Sequence, residues 1–101
     1  MAKIGTIQKN NSRKKLVQKL SKKRQSFKDK IYDKSLSLEE RFALILKLNE
    51  LPKNSTKARI RNRCALTGRP RGYCRKMGLS RIKLRELASD GKLSGIVRAS
   101  W

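Results

Sequence analysis

Residues 53–85 carry twelve basic side chains and no carboxylate. This run constrains the fold more than any other feature of the chain. With no acid nearby, the segment has nothing local to neutralise its guanidiniums and ammoniums, so an external anion is the expected counter-charge. The rest of the charge is unevenly placed. Residues 1–30 hold eleven basic residues against one acid, Asp29; residues 31–52 hold three against four, and residues 86–101 two against two. The 101 residues sum to +21, far outside the usual balance of a small domain. Nucleic acid is the obvious polyanion, and an anionic membrane surface is the main competitor. For the N-terminal block, a solvated basic face explains the charge equally well.

The length allows one small domain with extensions. No stretch approaches the ~20 apolar residues of a membrane span, and no apolar segment near the start reads as a secretory signal. The acid-poor opening imitates an organelle transit peptide, but only Arg13 and Arg24 stand among its lysines up to residue 28. Cys64 and Cys74 are therefore expected in a reducing compartment, unpaired; a disulfide between them is the minority reading.

The opening MAKIGTIQKN reads as extended or frayed. From Ser12, the residues Leu16, Leu20, Phe27 and Ile31 recur at helical spacing and predict a helix with a narrow apolar stripe, its other faces basic. A disordered basic arm is the alternative. Ser37-Leu-Glu-Glu40 fits a capping box for a second helix. Its apolar residues Phe42, Leu44, Ile45, Leu46, Leu48 and Leu51 cover more than one face, and Pro52 ends it. One side should pack on the first helix; the other is free to meet a neighbouring protein. Residues 53–63 form a polar, turn-rich, basic connector without apolar period. Ser80 is a good N-cap for a third helix, RIKLRELASD, with Gly91 at C′.

Between connector and third helix lies CALTGRPRGYCRKMGLSRIK, whose cysteines raise the question of a metal. Structural zinc takes four Cys or His ligands. The chain has no histidine, and Cys64 and Cys74, nine residues apart, do not form a CxxC knuckle. A frame is nevertheless visible: Cys64-Ala-Leu-Thr67 and Ser80-Arg-Ile-Lys83 are two tetrads separated by twelve residues, the zinc pattern C-x2-C-x12-C-x2-C with only its first cysteine kept. Thr67 and Ser80 are poor ligands, and Lys83 carries a positive charge. No metal and no other cofactor is expected.

The residues around that frame resemble a known family. Asn62-Arg63-Cys64, Thr67-Gly68-Arg69-Pro70, Arg75-Lys76, Gly78-Leu79-Ser80-Arg81, Arg85-Glu86-Leu87 and Ala99-Ser100-Trp101 resemble the C-terminal module of small-subunit ribosomal protein fourteen. Leu51-Pro52, Asn54-Ser55 and the helical N-terminal half resemble its long form. The resemblance implies that short members hold zinc on four cysteines and that long members, such as this chain, have lost them. It further implies a structural constituent of the small ribosomal subunit, in the head, touching 16S-type rRNA near the decoding A site. Implied neighbours are proteins three, ten and nineteen, in a bacterial cytoplasm or a mitochondrial matrix.

Mechanistically, arginine binds phosphate with a planar fork and lysine acts as a point charge. The expected RNA contacts are Lys53, Lys57, Arg59, Arg61, Arg63, Arg69, Arg71, Arg75, Lys76, Arg81, Lys83 and Arg85. In an extended connector Arg59, Arg61 and Arg63 would share one face, about 6–7 Å per step, and follow a phosphate backbone. Gly68 and Gly72 flank Pro70 in a turn where backbone could approach RNA closely. Tyr73 is placed either to stack on a base or to pack under the ribbon. Phe42, Ile45, Leu46, Ile96, Val97 and Trp101 are candidates for protein contacts, although Trp101 could equally pack on its own module.

Catalysis has no support: no base stands beside Ser80 or the cysteines, and no carboxylate pair sits in an apolar setting. No small-molecule substrate and no membrane partner are expected. A DNA reader with a degraded zinc module would need a recognition helix richer in Asn and Gln, and a membrane-active peptide a broader apolar face with Trp. The expected architecture is mainly α with a small β-ribbon element. It comprises a basic helical extension (1–52, two helices), an extended connector (53–63), and a metal-free zinc-ribbon remnant with a short helix and tail (64–101).

Overall fold

The computed structural model describes residues 2–99. It is mainly helical, with one small antiparallel ribbon. The elements are α1 (Ile4–Tyr32), α2 (Leu38–Glu50), two 3-10 turns (Lys53–Ser55 and Lys57–Arg59), β1 (Tyr73–Cys74), β2 (Leu79–Ser80) and α3 (Arg81–Ser89). They divide into two compact units: Lys9–Ile60, and the residues up to Gln8 together with those from Arg61 onward.

Within Lys9–Ile60, the half-buried positions of α1 are Arg13, Leu16, Val17, Leu20, Arg24, Phe27 and Ile31, and those of α2 are Arg41, Leu44 and Leu48. Both series follow the i, i+3, i+4, i+7 rule of an amphipathic helix. Arg41 Nε donates to the Ile31 carbonyl at 2.9 Å, tying the start of α2 to the end of α1. The capping box is present in full: Ser37 Oγ accepts from Glu40 N at 3.3 Å, and Glu40 Oε2 accepts from Ser37 N at 3.4 Å. No residue of α2 is fully buried, so the expected packing of one side on α1 is realised only in part.

Two sequence expectations need correction. The opening is helical from Ile4, where Thr6 and Ile7 backbone N–H groups already bond to the Lys3 carbonyl. The reason is tertiary: Ile7 lies against Gly68 in the second unit's fold, so the first turn has something to pack on. The connector has the turns its composition suggested, but it is not the extended strand expected at Arg59. Two 3-10 turns occupy Lys53–Ser55 and Lys57–Arg59, and Arg24 reaches across to hold them, donating to Ser55 Oγ at 3.3 Å and Thr56 Oγ1 at 3.2 Å. Arg59 therefore does not alternate with Arg61 and Arg63 along one strand face.

The second unit is a small ribbon followed by a helix. Tyr73 pairs with Ser80 and Cys74 with Leu79, and the turn closes through Gly78 N to the Cys74 carbonyl at 2.8 Å. Ser80 then caps α3, its Oγ accepting from Lys83 N. At the far end, Lys92 N bonds to the Leu87 carbonyl and Gly91 N to the Ala88 carbonyl, with Gly91 at φ +67°. That is a Schellman stop, in which the left-handed residue must be one without a Cβ penalty. The apolar core is minimal: among the described residues only Cys64 and Leu79 are buried hydrophobics.

Candidate nucleic-acid interface

The loop 64–69 is held by backbone hydrogen bonds. Cys64 N donates to the Arg69 carbonyl at 3.0 Å, Gly68 N returns to the Cys64 carbonyl at 2.9 Å, and Ala65 N ties the loop to Gly78 O at 3.1 Å. All four positions of the zinc-like frame converge here. The Cys64 sulfur, 3% exposed, accepts hydrogen bonds from the Thr67 hydroxyl and from the backbone N–H groups of Thr67, Ser80 and Leu66, while Lys83 feels its charge. Burial pushes the thiol up, but those four donors outweigh it and bring the pKa down from 9.0 to about 6.

This donor set does not fit zinc. Thr67 and the backbone N–H groups already serve the sulfur as hydrogen-bond donors, and the fourth residue of the frame is a lysine whose ammonium is paired with Glu86. Among the described residues, no group of three or more Cys, His, Asp or Glu comes together. Cys64 and Cys74 are both free thiols, the first buried and the second half-buried.

The two glycines of the turn around Pro70 differ in their surroundings. Gly68 and Gly72 both have positive φ, at +73° and +62°. A Cβ on Gly68 would lie 2.5 Å from Ile7 Cδ1, and one on Gly72 3.1 Å from Arg81 Cγ. Gly68 is buried under Ile7, whereas Gly72 stays exposed beside the Arg81 side chain. Nothing local in the sequence signalled that Ile7 would arrive there.

The cations sort by environment. In the ribbon unit, Arg61, Arg71, Arg75, Lys76, Arg81 and Arg85 are exposed, whereas Arg63, Arg69 and Lys83 are half-buried. Arg63 turns inward: its Nη1 donates to the Gly68 carbonyl at 2.9 Å and its Nε is buried. Arg69 Nε donates to the Arg71 carbonyl at 3.3 Å. Lys83 pairs with Glu86 at 2.5 Å, which holds the lysine above its ordinary pKa, and the Cys64 sulfur adds to the same direction. Lys53, Lys57 and Arg59 are exposed in the other unit, where Arg59 also donates to Asn54 Oδ1 at 3.0 Å. Sequence reasoning missed Arg24, which clamps the 3-10 turns, and the role of Thr67 as a sulfur donor; the frame itself was the signal for the latter.

Of the candidate protein contacts, Phe42, Ile45 and Leu46 lie exposed on α2, Phe42 by 62%. Val97 is exposed and Ile96 half-buried. Trp101 lies outside the described residues.

Comparison with known proteins bears on this arrangement directly. The sequence pattern of the family described as ribosomal protein S14p/S29e matches residues 47–100, the span from the end of α2 through the ribbon and tail. The chain belongs to that family. The small ribosomal subunit protein uS14 of Rickettsia typhi is 62% identical over 101 residues, covering all of both chains. Those of Rickettsia prowazekii and Rickettsia felis are 62% and 59% identical over the same full length. The likeness to these relatives therefore extends beyond the ribbon to α1 and α2.

Proposed function

We propose that this protein is a structural component of the small ribosomal subunit that binds 16S-type rRNA through the ribbon unit and its connector. The carrying observation is the exposed set Arg61, Arg71, Arg75, Lys76, Arg81 and Arg85 on a segment without a carboxylate. Full-length likeness to bacterial small-subunit proteins supports the ribosomal setting, and favours a bacterial cytoplasm over a mitochondrial matrix.

In this reading residues 64–101 are the rRNA-binding module, 53–63 the connector and 1–52 a basic extension. The protein sits in the head of the subunit, supports 30S-type assembly and steadies rRNA near the decoding A site. Its neighbours are proteins three, ten and nineteen, which the exposed face of α2 and the residues Ile96, Val97 and Trp101 would meet. The mechanism is neutralisation and bridging: strands that repel one another are held together by the exposed cations of one basic ribbon. Most contacts go to phosphate and fix position, with little reading of base sequence. No step is catalytic.

The test is equilibrium binding of the full-length protein to small-subunit rRNA and, in parallel, to anionic phospholipid vesicles across a salt series. Tight rRNA binding that weakens steeply with salt is expected. Vesicle binding that survives high salt, without preference for rRNA, would overturn the assignment.

A further inference from the structure

Next to the exposed cations, the ribbon unit holds an open cavity of about 460 Å³. Ala2, Pro70 and Ile82 give it carbon walls, and Arg69, Arg71 and Lys83 stand around it. Its size falls in the range of roughly 300–1,000 Å³ typical of small-molecule sites. It is far larger than an ion requires, and it opens to the surface, so a group still attached to a strand can enter.

An apolar slot ringed by cations suits a flat, weakly polar group joined to a phosphate. Single-stranded RNA supplies that group when a base is splayed from its neighbours and packed against protein. We propose that this cavity receives one unstacked nucleobase of the bound rRNA strand, packed between Pro70 and Ile82, with its phosphate held by Arg69 and Arg71. The assignment rests on the rRNA-binding reading and deepens it. The arginines take the phosphate because Lys83 is already paired with Glu86 at 2.5 Å. The bond from Arg69 Nε to the Arg71 carbonyl anchors the first fork beside the slot. An apolar side chain from a protein is the poorer occupant, since it would leave Arg69 and Arg71, which share in no ion pair among the described residues, without an anion.

Two variants test this in the full-length protein bound to small-subunit rRNA. Ile82→Asn makes that wall polar and Ile82→Ala removes it, and neither changes charge. Hydroxyl-radical cleavage reads the backbone footprint, and base-modifying reagents for all four nucleotides read the base edges. Wild type should protect at least one base within the backbone footprint. Both variants should keep that footprint and its salt dependence, lose protection of the same base, and bind roughly 5- to 20-fold more weakly. A preserved footprint with unchanged base protection and affinity would overturn the pocket while leaving the rRNA reading intact. No backbone footprint for wild type would overturn both.

Discussion

Replacing Arg75, Lys76 and Arg85 together by glutamine removes three of the six exposed cations between Arg61 and Arg85. None of the three carries a hydrogen bond that the fold visibly depends on, in contrast to Arg63, whose guanidinium holds the Gly68 carbonyl at 2.9 Å. Each phosphate neutralised by a bound cation contributes about 0.7 to 0.9 to the slope of log affinity against log salt. The triple variant should therefore lower that slope by about 2 to 3. Contacts from other parts of the chain add equally to both proteins and cancel in the comparison. A fourfold rise in salt should then shrink the wild-type advantage by roughly 20- to 40-fold. The assay is filter binding or fluorescence anisotropy with small-subunit rRNA at several salt concentrations. Arg63→Gln serves as the contrast: it should weaken binding with little change of slope, because its loss loosens the 64–69 loop. Identical slopes for wild type and the triple variant would refute the claim that these side chains sit on phosphates. A slope loss at Arg63 as large as at the exposed arginines would refute the sorting by environment.

Three further outcomes follow from the ribbon. Gly68→Ala should destabilise the rRNA-bound protein on thermal melting, by about 1–2 kcal/mol from the left-handed backbone alone, with the Ile7 clash in addition; Ile7→Ala should relieve only the clash, and full rescue would contradict the backbone argument. Cys64 should titrate near 6 where an ordinary thiol titrates at 9.0, as read by NMR of isotope-labelled cysteine in the complex, and Thr67→Val should move it upward. Between those two values the folded state binds fewer protons than the unfolded one, so the thiolate's stabilisation is complete above the upper value and is lost as pH falls through the lower; stability flat across this window would count against the sulfur-donor picture. Ser80→Ala should cost about 0.5–2 kcal/mol through loss of the α3 cap, yet leave the Cys64 titration nearly in place because the backbone donor remains.

Features set by neighbouring residues were legible in the sequence. The Ser37–Glu40 box, the Ser80 cap and the Gly91 stop each need only a few adjacent side chains, and each appears where the pattern placed it. What stayed hidden depends on residues far apart in the chain. The helical opening needs Ile7 on Gly68, and the 3-10 turns of the connector need Arg24 on Ser55 and Thr56. The site shows the same division. The basic run marked where cations concentrate, but composition could not reveal that Arg63 turns inward or that Lys83 is paired. The zinc-like frame was visible as a spacing; that its positions still converge, with hydroxyl and backbone donors serving one sulfur, required the fold.

The small core leaves the protein dependent on its partners for stability. With only Cys64 and Leu79 as buried hydrophobics among the described residues, and a charge of +21, the free chain should be only partly ordered. Its shape would then be completed by the polyanion it binds. The most direct measurement is sedimentation of a tagged copy through a sucrose gradient in high salt. The account predicts co-migration with the small ribosomal subunit, since built-in contacts persist where loose polyanion binding is stripped away. Recovery of the protein at the top of the gradient would contradict it.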